Sequence, residues 1–207
     1  MNKSDLLKAI AERGYDVGFG AKKHFATYDI IEKIPGWIGF TSIAFGIFSL
    51  AYTDLATQFT SATFVVLGVV SLYVGFYAHD KHRYNEAGAS LTKLYYELKM
   101  LYLTLKGAEG REEISKCERQ LLDIESRFFS DCISKQILFS NWYAHYKFYW
   151  ELQIGWLEEE LRFKFFRDKV PLSFWICLIM LACIAGLWIF NPFVWDCTLG
   201  ISPVGDL

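Results

Sequence analysis

The chain has 207 residues, 53% of them hydrophobic and 18% aromatic, and a formal net charge of −2. This near-balance gives no argument for direct nucleic-acid binding. The charges are instead sharply segregated: only Asp54 falls between Lys33 and His79, and no Lys or Arg follows Lys169.

The first 33 residues carry eleven charges and no apolar run, so no signal peptide is expected. Residues 1–33 read as N-terminal cytoplasmic helices. Ser4–Arg13 is expected to be helical, with Ser4 as N-cap before Leu6, Leu7 and Ile10. Gly14, Gly18 and Gly20 then crowd into seven residues. A phosphate loop would need a preceding strand and a following GKS or GKT, and neither is present. The glycines are therefore expected to bend the chain before a second, membrane-proximal helix at Ala21–Lys33.

Ile34–Thr53 and Leu55–Ala78 are uncharged apart from the Asp54 between them. A hydrocarbon core of roughly 30 Å takes about 20 helical residues to cross. Both stretches read as transmembrane helices, and 34–78 as a tight two-span hairpin, with Pro35 suited to the start of the first span. Gly39, Ser42, Gly46 and Ser49 recur at heptad-like spacing in the first span, as do Ser61, Gly68, Ser71 and Gly75 in the second. Small residues let helix backbones approach closely in lipid. This pattern is expected either to hold the hairpin together or to face a pore built from several hairpins. In the latter case Thr41, Ser42, Ser49, Thr60, Ser61, Thr63 and Ser71 are candidate lining residues. No ring of charge marks an ion filter.

Residues 79–169 carry fifteen basic and fifteen acidic side chains and read as a cytoplasmic helical domain. The helix of span two is expected to continue into it. Leu91, Leu94, Leu98, Leu101 and Leu105, with Tyr95 and Tyr102, fall at helical core spacing, and Gly107–Gly110 breaks the run. Ile114, Cys117, Leu121, Ile124 and Phe128 form a second stripe, giving an antiparallel helical hairpin. At about 1.5 Å per residue the outgoing arm reaches roughly 40 Å, and the return arm meets the membrane again near Ile137. About thirty residues remain before the next apolar run. They hold Trp142, Tyr143, Tyr146, Phe148, Tyr149, Trp150, Trp156, Phe163, Phe165 and Phe166. Such a segment suits either the membrane interface or a packed helical layer.

Signs of catalysis are sparse. His79, His82 and Glu86 have poor zinc spacing and suit a polar flank. His145 sits among aromatics as a packing histidine, and Glu158, Glu159 and Glu160 face Arg162 and Lys164 as a solvated charge run. There is no HExxH, GxSxG or Walker sequence. No catalytic residue, cofactor or metal site is expected, and the chain is not read as an enzyme.

Val170–Trp195 (170–195) is uncharged and reads as a third, C-terminal transmembrane helix, followed by an external tail at 196–207. Lys22, Lys23, Lys33, Lys81, Arg83, Arg162, Lys164, Arg167 and Lys169 flank the spans on one side. Only Asp54, Asp196 and Asp206 lie on the other. The positive-inside rule puts the N-terminus and middle domain in the cytoplasm and the C-terminus outside. Cys177 and Cys183 fall in the third span and Cys117 and Cys132 in the cytoplasmic helices. Cys197 is either a free surface thiol or a link between subunits. The expected fold class is an all-α integral membrane protein: a transmembrane helical hairpin, a cytoplasmic antiparallel helical domain and a third transmembrane helix.

This plan, with His79-Asp-Lys-His-Arg-Tyr-Asn-Glu-Ala-Gly-Ala-Ser90 and Leu91-Thr-Lys-Leu-Tyr-Tyr-Glu-Leu-Lys-Met-Leu-Tyr102, resembles the SLATT domain (SMODS- and SLOG-associating two-transmembrane effector) over roughly Leu6–Leu138. The resemblance implies a membrane effector of a prokaryotic antiviral or conflict system in the bacterial inner membrane. Such an effector oligomerises with copies of itself and permeabilises or depolarises the membrane on a signal, often a nucleotide second messenger. It also implies membrane lipid as a partner and a companion sensor, nucleotidyltransferase or reverse transcriptase. The third span departs from the minimal family plan. The alternative is a non-catalytic membrane scaffold that recruits a cytoplasmic partner through the helical domain.

Overall fold

The computed structural model describes residues 2–190, with the side chains of Thr53, Phe166 and 187–190 left aside. The described residues are helical, without strands. They divide into two units, Met1–Arg162 and Phe163–Leu207.

The first unit is organised by one helix, α1, running from Lys3 to Ala51. At 1.5 Å per residue it is about 70 Å long. Asn2 caps it: its Oδ1 accepts from the Asp5 N–H at 2.8 Å, so Ser4 lies inside the helix and is not the cap. The bend expected at Gly14–Gly20 is absent, and α1 passes straight through it, joining the N-terminal segment to the first apolar span. Gly14 and Gly18 serve close approach. A Cβ at Gly14 would lie 2.9 Å from both Trp156 Cζ2 and Leu157 Cδ2, and one at Gly18 would lie 2.8 Å from Tyr95 Cδ2. Packing against these rings outweighs the poor helix propensity of glycine. Pro35 also lies inside α1, not at a helix start.

A 3₁₀ turn at Thr53–Leu55 leads to α2, Gln58–Gly75. Thr57 and Thr60 form a reciprocal capping box at its start, with Thr57 N donating to Thr60 Oγ1 at 3.0 Å and Thr60 N to Thr57 Oγ1 at 3.2 Å. The expected run-on from span two is interrupted. The helix tightens after Gly75, where the Phe76 and Tyr77 amides bond back to Tyr73 and Val74, and a 3₁₀ turn at Ala78–Asp80 precedes α3, Lys81–Gly107. Then come α4, Arg111–Asp131, and a non-helical strap at 132–137.

The chain continues into α5, Ser140–Tyr146, which widens into a π turn at Lys147–Glu151, and then α6, Gly155–Leu161. α3 lies antiparallel along the first half of α1: Lys3 Nζ donates to the Lys106 carbonyl at 3.0 Å at one end, and Lys81 meets Glu32 at 2.5 Å at the other. Leu91, Leu94, Leu98, Leu101 and Leu105 are buried, as are Cys117, Leu121 and Ile124 of α4, while Ile114 and Phe128 are half-buried.

The aromatic segment forms a packed layer on one face. Phe148 and Leu157 are fully buried, and Ile154 and Trp156 nearly so. Trp156 Nε1 donates to Tyr95 Oη at 2.9 Å, and Tyr95 Oη donates to the Gln153 carbonyl at 2.8 Å. Burial, partly offset by the Trp156 hydrogen bond, pushes the Tyr95 phenol up to about 12. The opposite face is different: Phe139, Tyr146 and Trp150 are exposed.

The second unit contains a wide turn at Phe165–Lys169, closed where the Lys164 amide donates to Asp168 Oδ2 at 2.8 Å, and α7, Leu172–Phe190. α7 is apolar over Leu172–Gly186. The end of the expected third span, the tail 196–207 and Cys197 lie outside the described residues.

Candidate functional site

Among the described residues two apolar helices are long enough to cross a membrane, the one ending at Ala51 and the one at Gln58–Gly75. Trp37, Phe40, Ile43, Ile47, Phe59, Val65 and Leu72 on them are all more than half exposed. Contiguous apolar surface on this scale calls for a bilayer or for other copies of the same helices.

From Trp37 onward the half-buried positions of the first helix are Ile38, Ser42, Ala44, Phe45 and Ser49. Those of the second are Thr60, Phe64, Leu67 and Ser71, ending at buried Val74. Phe45 and Phe64 meet across the pair with ring centroids 4.8 Å apart. Ser42, Ser49 and Ser71 of the expected small-residue pattern thus sit among the half-buried positions.

Its glycines do not. A Cβ built at Gly39, Gly46, Gly68 or Gly75 meets no described atom within 4 Å. Within one chain these glycines make no close contact, and the hairpin is held by larger side chains one position away. Ser61 is exposed. The hydroxyls satisfy themselves locally: Ser42 donates to the Ile38 carbonyl at 2.8 Å, Ser49 to Phe45 at 3.0 Å, Ser61 to Thr57 at 3.0 Å and Thr63 to Phe59 at 2.8 Å. Such back-bonding lets a hydroxyl stay in an apolar medium without a distant partner.

The helical domain is fastened to the base of this hairpin by contacts that no sequence period announces. Ile31 of α1, Val74 of α2, Tyr84 of α3 and Ile137 of the strap form one buried cluster, with Tyr28, Ile30, Ile34, Tyr77 and Ile133 around it. Ile137 therefore stands at the end of the second apolar helix, where the arm lengths placed the returning chain.

Polar bonds lock the strap. Thr27 Oγ1 donates to Gln136 Oε1 at 2.5 Å, Tyr84 Oη to the Lys135 carbonyl at 2.7 Å, and the Leu138 amide to Tyr73 Oη at 3.3 Å. Lys135 Nζ lies 4.6 Å from the centre of the Tyr77 ring, a cation–π contact. His24 accepts from the Ile133 amide at Nε2 (3.0 Å), while its Nδ1 lies 2.7 Å from the Gly20 carbonyl. Those two bonds require the neutral tautomer with the proton on Nδ1.

Burial lowers the His24 pKa despite the backbone bonds that oppose it, and burial also lowers that of His145. His145 packs 4.9 Å from the Phe19 ring, and its Nδ1 has no hydrogen-bond partner among the described residues. A depressed histidine pKa means the unfolded chain binds more protons below its own pKa. The contribution is therefore complete above about 6.5 and is lost as pH falls from there through the lower folded values. A His24→Leu/His145→Phe variant is expected to show a shallower loss of stability than the parent between neutral and mildly acidic pH, read from thermal melts across that range.

A charged cluster ties α1 to the turn after α5. Lys147 Nζ lies 2.6 Å from Asp29 and 3.8 Å from Glu151, Lys33 lies 2.8 Å from Asp29, and Lys22 lies 3.9 Å from Glu151. Burial works against the Asp29 carboxylate, but bonds from Lys147 and Lys33 outweigh it and lower the pKa. Burial likewise opposes the Lys147 ammonium, and Asp29 raises it.

His79 and His82 are exposed at the α2–α3 junction. Among the described residues no three His, Cys, Asp or Glu side chains are grouped to hold a metal ion. The surface groove between α3 and α4 is bordered by Tyr96, Met100, Ile124 and the Glu97–Arg127 ion pair.

Residues 1–178 match the family described as SMODS and SLOG-associating 2TM effector domain 6. Comparison with curated proteins and with solved structures finds no match.

Proposed function

We propose, from the premise that the chain belongs to the SMODS and SLOG-associating 2TM effector family, that it is a membrane-permeabilising effector of a prokaryotic antiviral system. It resides in the bacterial inner membrane with the N-terminus and helical domain in the cytoplasm and the C-terminus outside. Several copies assemble, and a signal from a companion sensor or nucleotidyltransferase, such as a nucleotide, rearranges their hairpins into a conducting state.

The observation that carries this reading is the pair of apolar helices whose Gly39, Gly46, Gly68 and Gly75 face open space within one chain. Glycines that do no packing inside the hairpin are available for close approach by helices of neighbouring copies. The signal must bind the conducting arrangement more tightly than the resting one, because a ligand shifts an equilibrium only by its differential affinity.

The second reading is a scaffold, favoured by the exposed Tyr96, Met100 and Leu103 stripe along α3, a surface for a cytoplasmic partner. Replacing residues 34–78 with an unrelated transmembrane hairpin separates the two. The effector reading expects growth arrest in phage-challenged cells to disappear while the chain still inserts. Retained arrest would transfer the function to the helical domain.

A further inference from the structure

We infer that Leu138, Phe139 and Trp142, where the strap enters α5, form a foot that rests in the cytoplasmic interface of the same bilayer the hairpin crosses. The inference depends on the hairpin being membrane-spanning, as proposed above.

Leu138 and Phe139 are adjacent apolar side chains that stay 62% and 59% exposed, although the residues on either side of them, Ile137 and Ser140, are buried. Phe139 also has a φ of 66°, a left-handed conformation that bulky side chains rarely adopt. A strained backbone and an aromatic ring in water are both unfavourable, and the contact of Phe139 with Trp142 leaves more than half of Phe139 exposed. An apolar medium outside the chain supplies the missing compensation.

Position identifies that medium as lipid. The Leu138 amide donates to Tyr73 Oη at 3.3 Å, and Ile137 packs with Val74, so the foot stands level with the last turn of α2. Phe139 meets Trp142 with ring centroids 5.7 Å apart, extending the foot by an indole, the side chain best suited to the headgroup boundary. Lys135, two residues before Ile137, adds a cation at this depth over the Tyr77 ring, suited to lipid phosphates. The foot therefore continues the apolar surface at the end of α2, where Leu72 and the capping residue Phe76 are 71% and 77% exposed. A protein partner docking here would have to share the site with headgroups at the hairpin's own base. The helical domain is thereby held to the membrane at a second point beside the hairpin, which restricts how it can tilt relative to the spans.

The test uses the full chain in nanodiscs of phosphatidylethanolamine and phosphatidylglycerol. A fraction of these lipids carries acyl chains brominated close to the ester. An environment-sensitive fluorescent amino acid is placed by codon suppression at Phe139, at Leu72 in α2, or at Leu103, an exposed position of α3 far along the domain. Bromine quenches only at contact range. The foot predicts quenching at 139 comparable to that at 72 and several-fold larger than at 103. Strong quenching at 72 with 139 no more quenched than 103 would overturn the foot and leave the spanning hairpin intact. Absence of quenching at 72 would overturn both.

Discussion

Gly14→Ala is expected to destabilise the helical domain by about 1–3 kcal/mol, the usual cost of overpacking a filled core. The new methyl would overlap Trp156, and the Trp156 ring has little room to move: its Nε1 is bonded to Tyr95 Oη at 2.9 Å, and Leu157 on the other side is fully buried. Gly20→Ala is the control. Its Cβ would sit 3.5 Å from Leu91 Cδ1 and Phe128 Cε2, an ordinary contact. There the gain in helix propensity, about 0.5–1 kcal/mol, should prevail and raise the melting temperature. Thermal unfolding followed by circular dichroism in one detergent checks both. Equal effects of the two variants would show that these glycines do not differ in packing.

The second large effect is expected at Asp29. Asp29→Ala leaves Lys147, whose side chain is 13% exposed, without the carboxylate 2.6 Å away. An uncompensated buried charge costs roughly 3–5 kcal/mol; with Glu151 3.8 Å from Lys147, about 2–3 kcal/mol is expected here. Lys33 also loses its partner, but at 56% exposure it returns to water at little cost. The double variant Asp29→Leu/Lys147→Met removes both charges and should recover most of the loss, leaving under about 1 kcal/mol. A double variant as unstable as Asp29→Ala would show that packing at this junction, and not the stranded ammonium, sets the cost.

The leucine stripe from Leu91 to Leu105 is legible in the sequence because α3 buries one continuous face, and a helix reports its face through spacing. The glycines at 14, 18 and 20 suggest a bend that the fold does not make, and the reason is physical. Poor propensity is a local property, whereas the rings that need the space come from Tyr95, Phe148 and Trp156, far along the chain.

The aromatic segment is ambiguous for the same reason. Its composition marks it as apolar without naming what covers it; the contacts do, with Gly14 and Gly18 of α1 making room for Trp156, Leu157 and Phe148, and Trp156 bonding to Tyr95 of α3. At the hairpin, small-residue spacing identifies positions that permit close approach, not those that touch. Phe45 and Phe64 fill the seam, and the glycines stand beside it. The strap contacts of His24, Thr27 and Tyr84 have no sequence signal, since single polar residues in a helix carry no period.

Membrane potential, followed with a voltage-sensitive dye after phage challenge in cells carrying the chain and its neighbouring genes, decides whether the hairpins conduct. The Gly68→Leu variant is compared at matched membrane abundance. Depolarisation by the parent before growth stops is expected, with a maintained potential in the variant, whose new side chain would fill the space a neighbouring helix needs for close approach. Growth arrest by the parent at full potential, or equal depolarisation by the variant, would rule out a pore assembled through these glycines.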